Sequence, residues 1–236
     1  MLTLPPSLLL QHDFDTSVEQ NVYFGDSQTI LVQLSDNSIW QSSNEGFTWK
    51  QLYPQEMFLA LAIHGFAKDR AYLVTASKKV YYTTDTGRNW YTFTPPTDPN
   101  GLGIPILDFH PTKPDWLIWT GQVDCSSAVS AACHSVSHYS TDNGRAWKQF
   151  ETYVKTCAWA RDSRLKLDER MIICETFKKK EGNQRAKEYN PLELVAGGGY
   201  YTKKEPLFGS IVGFATFSEY LIVAEVSLTK TVRRAE

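Results

Sequence analysis

Apolar residues in this chain come in short runs separated by small polar and glycine-containing clusters, a pattern of strands and turns. Ala71-Tyr72-Leu73-Val74-Thr75 is one such run, and Ser38-Ile39-Trp40-Gln41 and Lys79-Val80-Tyr81-Tyr82 are two more. Polar-aromatic segments such as Trp90-Tyr91-Thr92-Phe93 follow the turns. These residues are rich in β-branched and aromatic side chains, which suit a pleated, half-buried surface. No stretch of helical periodicity competes with them, so the pattern predicts an all-β chain.

The turns between the runs repeat. Ser42-Ser43-Asn44-Glu45-Gly46-Phe47-Thr48-Trp49 recurs as Thr83-Thr84-Asp85-Thr86-Gly87-Arg88-Asn89-Trp90 and as Ser140-Thr141-Asp142-Asn143-Gly144-Arg145-Ala146-Trp147. The shared form is a hydroxyl residue, an Asp or Asn, a Gly and a Trp at fixed spacing. Each has a mechanical use: the carboxylate or amide accepts from the turn's backbone N–H groups, the hydroxyl bonds locally, and Gly supplies a positive φ. Trp then packs its ring against the turn and the sheet edge. The unit is a β-hairpin with a rigid corner.

The first two copies begin 41 positions apart and the next two 57 apart. The shorter spacing is that of one four-stranded propeller blade of roughly 40 to 50 residues. The excess in the longer one falls in the Pro-rich stretch 94–105 and the Cys-bounded stretch 125–133, both read as loop insertions. A degenerate fourth corner is expected over Leu194–Tyr201, lacking the Asp and the Trp. Ile211–Phe214 and Tyr220–Val226 are expected to open a further blade that the chain does not finish. The reading is therefore four to five blades of antiparallel strands, part of a larger wheel.

Four cysteines fall as two local pairs, Cys125 with Cys133 and Cys157 with Cys174. Three connectivities are open, and nearest-neighbour pairing fits hairpins best. Zinc is the rival use, but there is no Cys-x-x-Cys and only His134 and His138 lie near Cys133. Disulfides imply a lumenal or extracellular compartment. No Asn-x-Ser/Thr sequon bears on that point.

Composition excludes more than it selects. A net charge of -2 and a pI of 6.2 give no electrostatic footprint for nucleic acid. No window reaches the roughly 20 apolar residues a membrane helix needs, and Met1–Leu10 lacks the features of a signal peptide. Catalytic chemistry is equally hard to assemble. The arginines sit mostly in turns or charged loops, and the acids Asp69, Asp108, Asp115, Asp124 and Glu175 cannot be paired across a cleft from sequence. The five histidines are scattered, with His110 read as a loop brace and only secondarily as a pH-sensitive group. No catalytic residue, metal or cofactor is assigned.

The repeated corner is the Asp box, shared by sialidases, some glycoside hydrolases and the propellers of sortilin-type receptors, and alone it identifies only a fold element. Other stretches resemble sortilin-type blades: Asp108-Phe109-His110-Pro111-Thr112-Lys113-Pro114-Asp115-Trp116-Leu117-Ile118, Ile172-Ile173-Cys174-Glu175, and Leu207–Phe214 followed by Tyr220–Ala224. The two cysteine pairs suit that family too, and the resemblance runs from about Phe24 to Val226. It is nearest to the fungal-type vacuolar sorting receptors. Such a resemblance implies a type I membrane receptor whose lumenal ten-bladed propeller takes soluble hydrolases, such as carboxypeptidase Y, from the late Golgi to an endosome. For this chain it implies a partial propeller over 16–228, between an unstructured segment 1–15 and a tail 229–236. It also implies a non-enzymatic ligand-binding fragment in the Golgi or endosomal lumen. Its partners would be soluble vacuolar hydrolases or their propeptides, with no nucleic acid, and with the membrane reached only through a parent helix absent from this chain. The alternatives are a sialidase- or glycosidase-like propeller and a free-standing interaction propeller.

Overall fold

A computed structural model describes residues 12–25, 27–101, 103–126, 130, 132–160, 168–180, 192–198, 201–216 and 221–225. Among them every regular element is a strand, and no helix is long and apolar enough to cross a membrane. The chain divides into two compact units, Met1–Pro95 and Pro96–Glu236.

In the first unit, β1 (Val18–Tyr23), β2 (Ile30–Leu34), β3 (Ile39–Ser42) and β4 (Lys50–Leu52) form one antiparallel sheet in that order. A second contains β5 (Phe58–Ile63), β6 (Ala71–Thr75), β7 (Val80–Thr83) and β8 (Tyr91–Phe93). Their second strands, β2 and β6, are buried at every position, which is why they read as unbroken apolar runs. Alternate residues of β2 serve two faces. Leu31 joins Ile39, Phe58, Leu61 and Leu73 in the core between the sheets, while Ile30, Val32 and Leu34 face the other way. That second face is covered by Phe14, Trp40 and Trp49, so packing extends into the segment expected to stand outside the fold. Phe14 meets Trp49 edge-on at 5.2 Å, and His12 lies 6.0 Å from the same ring. Residues 1–11 and the tail 229–236 lie outside the described residues.

The second unit begins with β9 (Asp98–Pro99), β10 (Leu107–Phe109), β11 (Leu117–Val123), β12 (His134–Ser140) and β13 (Lys148–Thr152) in one sheet. The next holds β14 (Val154–Trp159), β15 (Ile172–Phe177), β16 (Leu192–Gly198), β17 (Tyr201–Thr216) and β18 (Leu221–Glu225). Ile118, Phe150, Val154, Cys157, Trp159, Ile172 and Cys174 make the core between these sheets. The fold class is thus all-β, with antiparallel sheets of four or five strands in blade order.

Two expectations change. The stretch 94–105 is more than a loop, because β11 runs beyond its partner β10 and the exposed edge takes β9, with Gly121 opposite Pro99 and Gln122 opposite Asp98. Trp119 donates to Thr97 Oγ1 at 3.1 Å and the Asn100 amide to the Thr120 carbonyl at 2.6 Å, fixing the added strand. Ile211–Phe214, expected to open a new blade, is the far half of β17. That strand pairs β16 from Tyr201 to Ile211 and β18 from Ile211 to Thr216. Pro206, Gly209 and Ser210 lie within it, and the pairing continues past them through register shifts, with Ser210 at φ 59°. Tyr220 and Val226 lie outside the described residues.

Candidate functional site: the blade corners and the gaps beside them

The three corners are superimposable in their hydrogen bonds. Ser42 Oγ donates to Asn44 Oδ1 at 3.0 Å and accepts from Gly46 N at 2.8 Å, while Asn44 Oδ1 accepts from Thr48 N at 2.9 Å. Thr83 donates to Asp85 at 2.8 Å and accepts from Gly87 N at 2.9 Å, and Asp85 accepts from Asn89 N at 2.9 Å. Ser140 donates to Asp142 at 2.8 Å and accepts from Gly144 N at 2.8 Å, and Asp142 accepts from Ala146 N at 2.9 Å. The corner glycines sit at φ 91°, 82° and 84°, a region closed to most side chains. The residue before each, Glu45, Thr86 or Asn143, is left-handed too, at φ 59°, 61° and 58°. Each of these three also donates its backbone N–H to the carbonyl two residues ahead of the sheet's second strand, at Gln28, Asp69 and Asp115.

Burial would raise the Asp85 and Asp142 carboxyls. Hydrogen bonds from Asn89 and Thr83 in one case, and from Ala146 and Ser140 in the other, overcome it and hold both below the ordinary 3.8. These carboxylates are occupied as turn acceptors.

A second repeat lies at the loops that carry those carbonyls. His64 Nδ1 accepts from the backbone of Phe66 at 3.1 Å and Ala67 at 2.9 Å, and His110 Nδ1 accepts from Thr112 at 3.2 Å and Lys113 at 3.0 Å. His64 stands five residues before Asp69, as His110 does before Asp115. That shared interval was the available signal among histidines that otherwise look scattered. With Nδ1 accepting, His110 carries its proton on Nε2, which donates to the Glu169 carbonyl at 2.9 Å. Burial pushes its pKa down from 6.5.

Cys125 and Cys133 are bonded at the tip of the β11–β12 hairpin, just past the Val123–His134 pair. Cys157 and Cys174 are bonded across directly opposed positions of β14 and β15. No group of three or more His, Cys, Asp or Glu with metal-binding placement occurs among the described residues. The other candidate acids are dispersed. Asp108 accepts from Trp159 N at 3.3 Å, and buried Glu175, its pKa raised by desolvation, pairs with Lys155 at 3.5 Å.

Register sets the fourth hairpin apart. The pairs Gln41–Lys50, Tyr82–Tyr91 and Tyr139–Lys148 close three hairpins around residues 42–49, 83–90 and 140–147, whereas the β16–β17 hairpin is paired as far as Gly198–Tyr201. That pair lies inside the stretch Leu194–Tyr201, and it encloses no eight-residue corner of the kind seen in the other three. Lys204 lies beyond that pair, within β17; Gly199 and Tyr200 lie outside the described residues.

The Trp position governs the gap between neighbouring sheets. In the first unit Trp90 packs onto the inter-sheet core, and its Nε1 donates to Gln41 Oε1 at 3.0 Å. The Gln41 amide in turn donates to the Gly87 carbonyl at 2.9 Å, tying the second sheet's corner to β3 of the first. In the second unit Lys204 reaches the Phe150 carbonyl at 2.8 Å instead, and a cleft of about 700 Å³ opens beside it.

Comparison with known proteins gives this architecture a relationship. Residues 37–235 match the Sortilin-Vps10 family model, described as sortilin, neurotensin receptor 3. The chain is 45% identical over 226 residues to vacuolar protein sorting/targeting protein 10 of Mycosarcoma maydis, covering 92% of this chain and 15% of that protein. It is 50% identical over 218 residues to the Laccaria bicolor protein of the same name, covering 91% and 15%. The chain thus spans about 15% of the length of the curated relatives it matches. Among solved structures, an ancestral GH74 enzyme is similar at TM-score 0.48 and 14% identity, covering 82% of this chain and 26% of its own. The GH74 xyloglucanase from Xanthomonas campestris gives 0.41 and 13%, covering 77% and 28%. At those scores neither bears on function. The corner repeat alone left enzyme and receptor families open; the match across 37–235 decides between them in favour of a receptor family, and the chain belongs to the Sortilin-Vps10 family.

Proposed function

We propose that this chain is part of the lumenal ligand-binding region of a sorting receptor that takes soluble vacuolar hydrolases from the late Golgi to the endosome. The observation that carries the reading is the family match, together with relatives named for vacuolar protein sorting and targeting. Two features of the molecule agree with it. Asp85 and Asp142 serve turns and Glu175 an ion pair, which suits a scaffold for binding. Its four cysteines are paired, which suits an oxidising lumen.

The cargo is proposed to be a hydrolase precursor of the carboxypeptidase Y kind, recognised through its propeptide, and the parent protein to be a type I membrane receptor. The test is surface plasmon resonance with the secreted, disulfide-bonded chain immobilised and the hydrolase offered as precursor and as mature enzyme. Saturable binding of the precursor that is absent for the mature form is the expected result. Equal responses to both, or hydrolysis of a glycan by the chain, would overturn the reading.

A further inference from the structure

The cleft beside Lys204 differs from its counterpart in the first unit at nearly every wall position. Register equates Tyr139 with Gln41 and Phe150 with Leu52, and the residue ahead of each second strand equates Trp116 with Thr29. Trp159 stands where Ile63 does, at the end of the first strand of the following sheet. Four aromatic rings therefore wall a gap that in the first unit is framed by Thr, Gln, Leu and Ile and closed by Trp90. They form one cluster: Trp116 and Trp159 lie 5.3 Å apart, and Tyr139 meets Trp159 at 6.2 Å and Phe150 at 6.4 Å.

A Cβ on Gly197 would lie 3.0 Å from Phe150 Cε2 and Cζ, so glycine here lets the Phe150 ring lie on the backbone. Trp159, though only 1% exposed, has its indole N–H buried without an acceptor from the protein. A buried donor of this kind is normally matched.

Of the rim's three cations, two are neutralised by carboxylates. Lys148, Arg170 and Lys204 line the cleft and no carboxylate does. Arg170 is held by Asp168 at 2.7 Å and Lys204 by Glu151 at 3.0 Å, whereas Lys148 has no ion pair among the described residues. The chain's net charge of -2 makes this a local cationic spot and not part of a polyanion-binding field.

We infer that this cleft is a binding site for an extended peptide segment in which an aromatic side chain is flanked by carboxylates. The ring packs on the partly exposed Trp116 and Tyr139, which Phe150 and Trp159 back from the core, and aromatic pairs are favourable beyond their area. The neighbouring carboxylates meet Lys148 and the rim. A volume of about 700 Å³ accommodates one large side chain with its adjoining backbone. The inference rests on the reading of the chain as a binding module but not on any particular cargo; failure of the peptide with precursor capture intact would remove this site alone.

The experiment uses the full chain and three acetylated, amidated tetrapeptides, Glu-Glu-Phe-Glu, Lys-Lys-Phe-Lys and Glu-Glu-Ala-Glu, followed by tryptophan fluorescence and calorimetry. Saturable binding is expected for the first alone. Lys148→Glu should weaken it by about tenfold or more while leaving the cleft open. Lys204→Trp, which sets a bulky ring in the cleft beside Phe150, should abolish it with the far-UV circular dichroism unchanged. If Lys204→Trp fails to fold, Lys148→Glu carries the test. The inference is overturned if Glu-Glu-Phe-Glu does not bind at millimolar concentration, if the lysine peptide binds equally well, or if binding survives in a folded Lys204→Trp chain.

Discussion

At the scale of single residues, the corners show how an acid that looks available for chemistry is consumed by structure. Asp85 accepts from Asn89 twice, through the backbone at 2.9 Å and the side-chain amide at 2.7 Å, and from Thr83. Asp85→Ala strands those donors and should cost about 1–3 kcal/mol in chemical denaturation. Asp85→Asn should cost less than half as much, because Asn44 already performs the same task in the first corner. Asp85 is held below 3.8, so its contribution is present at neutral pH and fades as the pH falls through 3.8 and then the folded value. The Asn variant should lack that share of acid sensitivity. Thr86 is a β-branched residue held at φ 61° where the third corner has Asn143. Thr86→Asn should raise stability by roughly 0.5–1 kcal/mol, read as a higher melting temperature.

His110 gives the opposite pH slope from a salt-bridged histidine. Its Nδ1 accepts two backbone N–H groups, and protonation would set a third donor against them. Burial lowers its pKa below 6.5, so the unfolded chain binds the proton first. Stability should therefore fall as the pH drops through 6.5 towards the folded value. His110→Asn keeps an acceptor that does not titrate and should flatten melting temperature against pH between roughly 7 and 5. Half-buried His138, lowered in the same direction by desolvation, leaves a remainder.

At the scale of elements, the disulfides divide by position. Cys157 and Cys174 are buried in the core between the last two sheets. Replacing both by serine should cost about 2–4 kcal/mol. The Cys125–Cys133 bond closes a shorter loop at a hairpin tip, and its loss should cost less in the same melting experiment.

The strands and three corners were legible because their information is local. A hydroxyl, an acid, a glycine and a tryptophan within eight positions dictate one turn, and Ala71–Thr75 is a strand at the residues its apolar run occupies. What stayed hidden depends on partners distant in sequence. β9 exists because β11 outruns β10, β17 continues past Gly209-Ser210 because it pairs β16 and then β18, and Tyr139 and Trp159 meet only because two sheets pack.

At the scale of the whole molecule, the chain supplies sheets, corners and disulfides of a Sortilin-Vps10 family member and spans about 15% of the length of its curated relatives. Its proposed contribution is cargo capture, and that contribution is separable from transport. The most direct measurement is the fraction of vacuolar hydrolase precursor secreted by cells whose full-length receptor lacks residues 37–235 of this chain, with receptor abundance and location monitored by immunoblot and microscopy. The account predicts that the receptor still reaches its compartments while the precursor is secreted, and that restoring the residues returns it to the vacuole. Normal vacuolar delivery without these residues would contradict it.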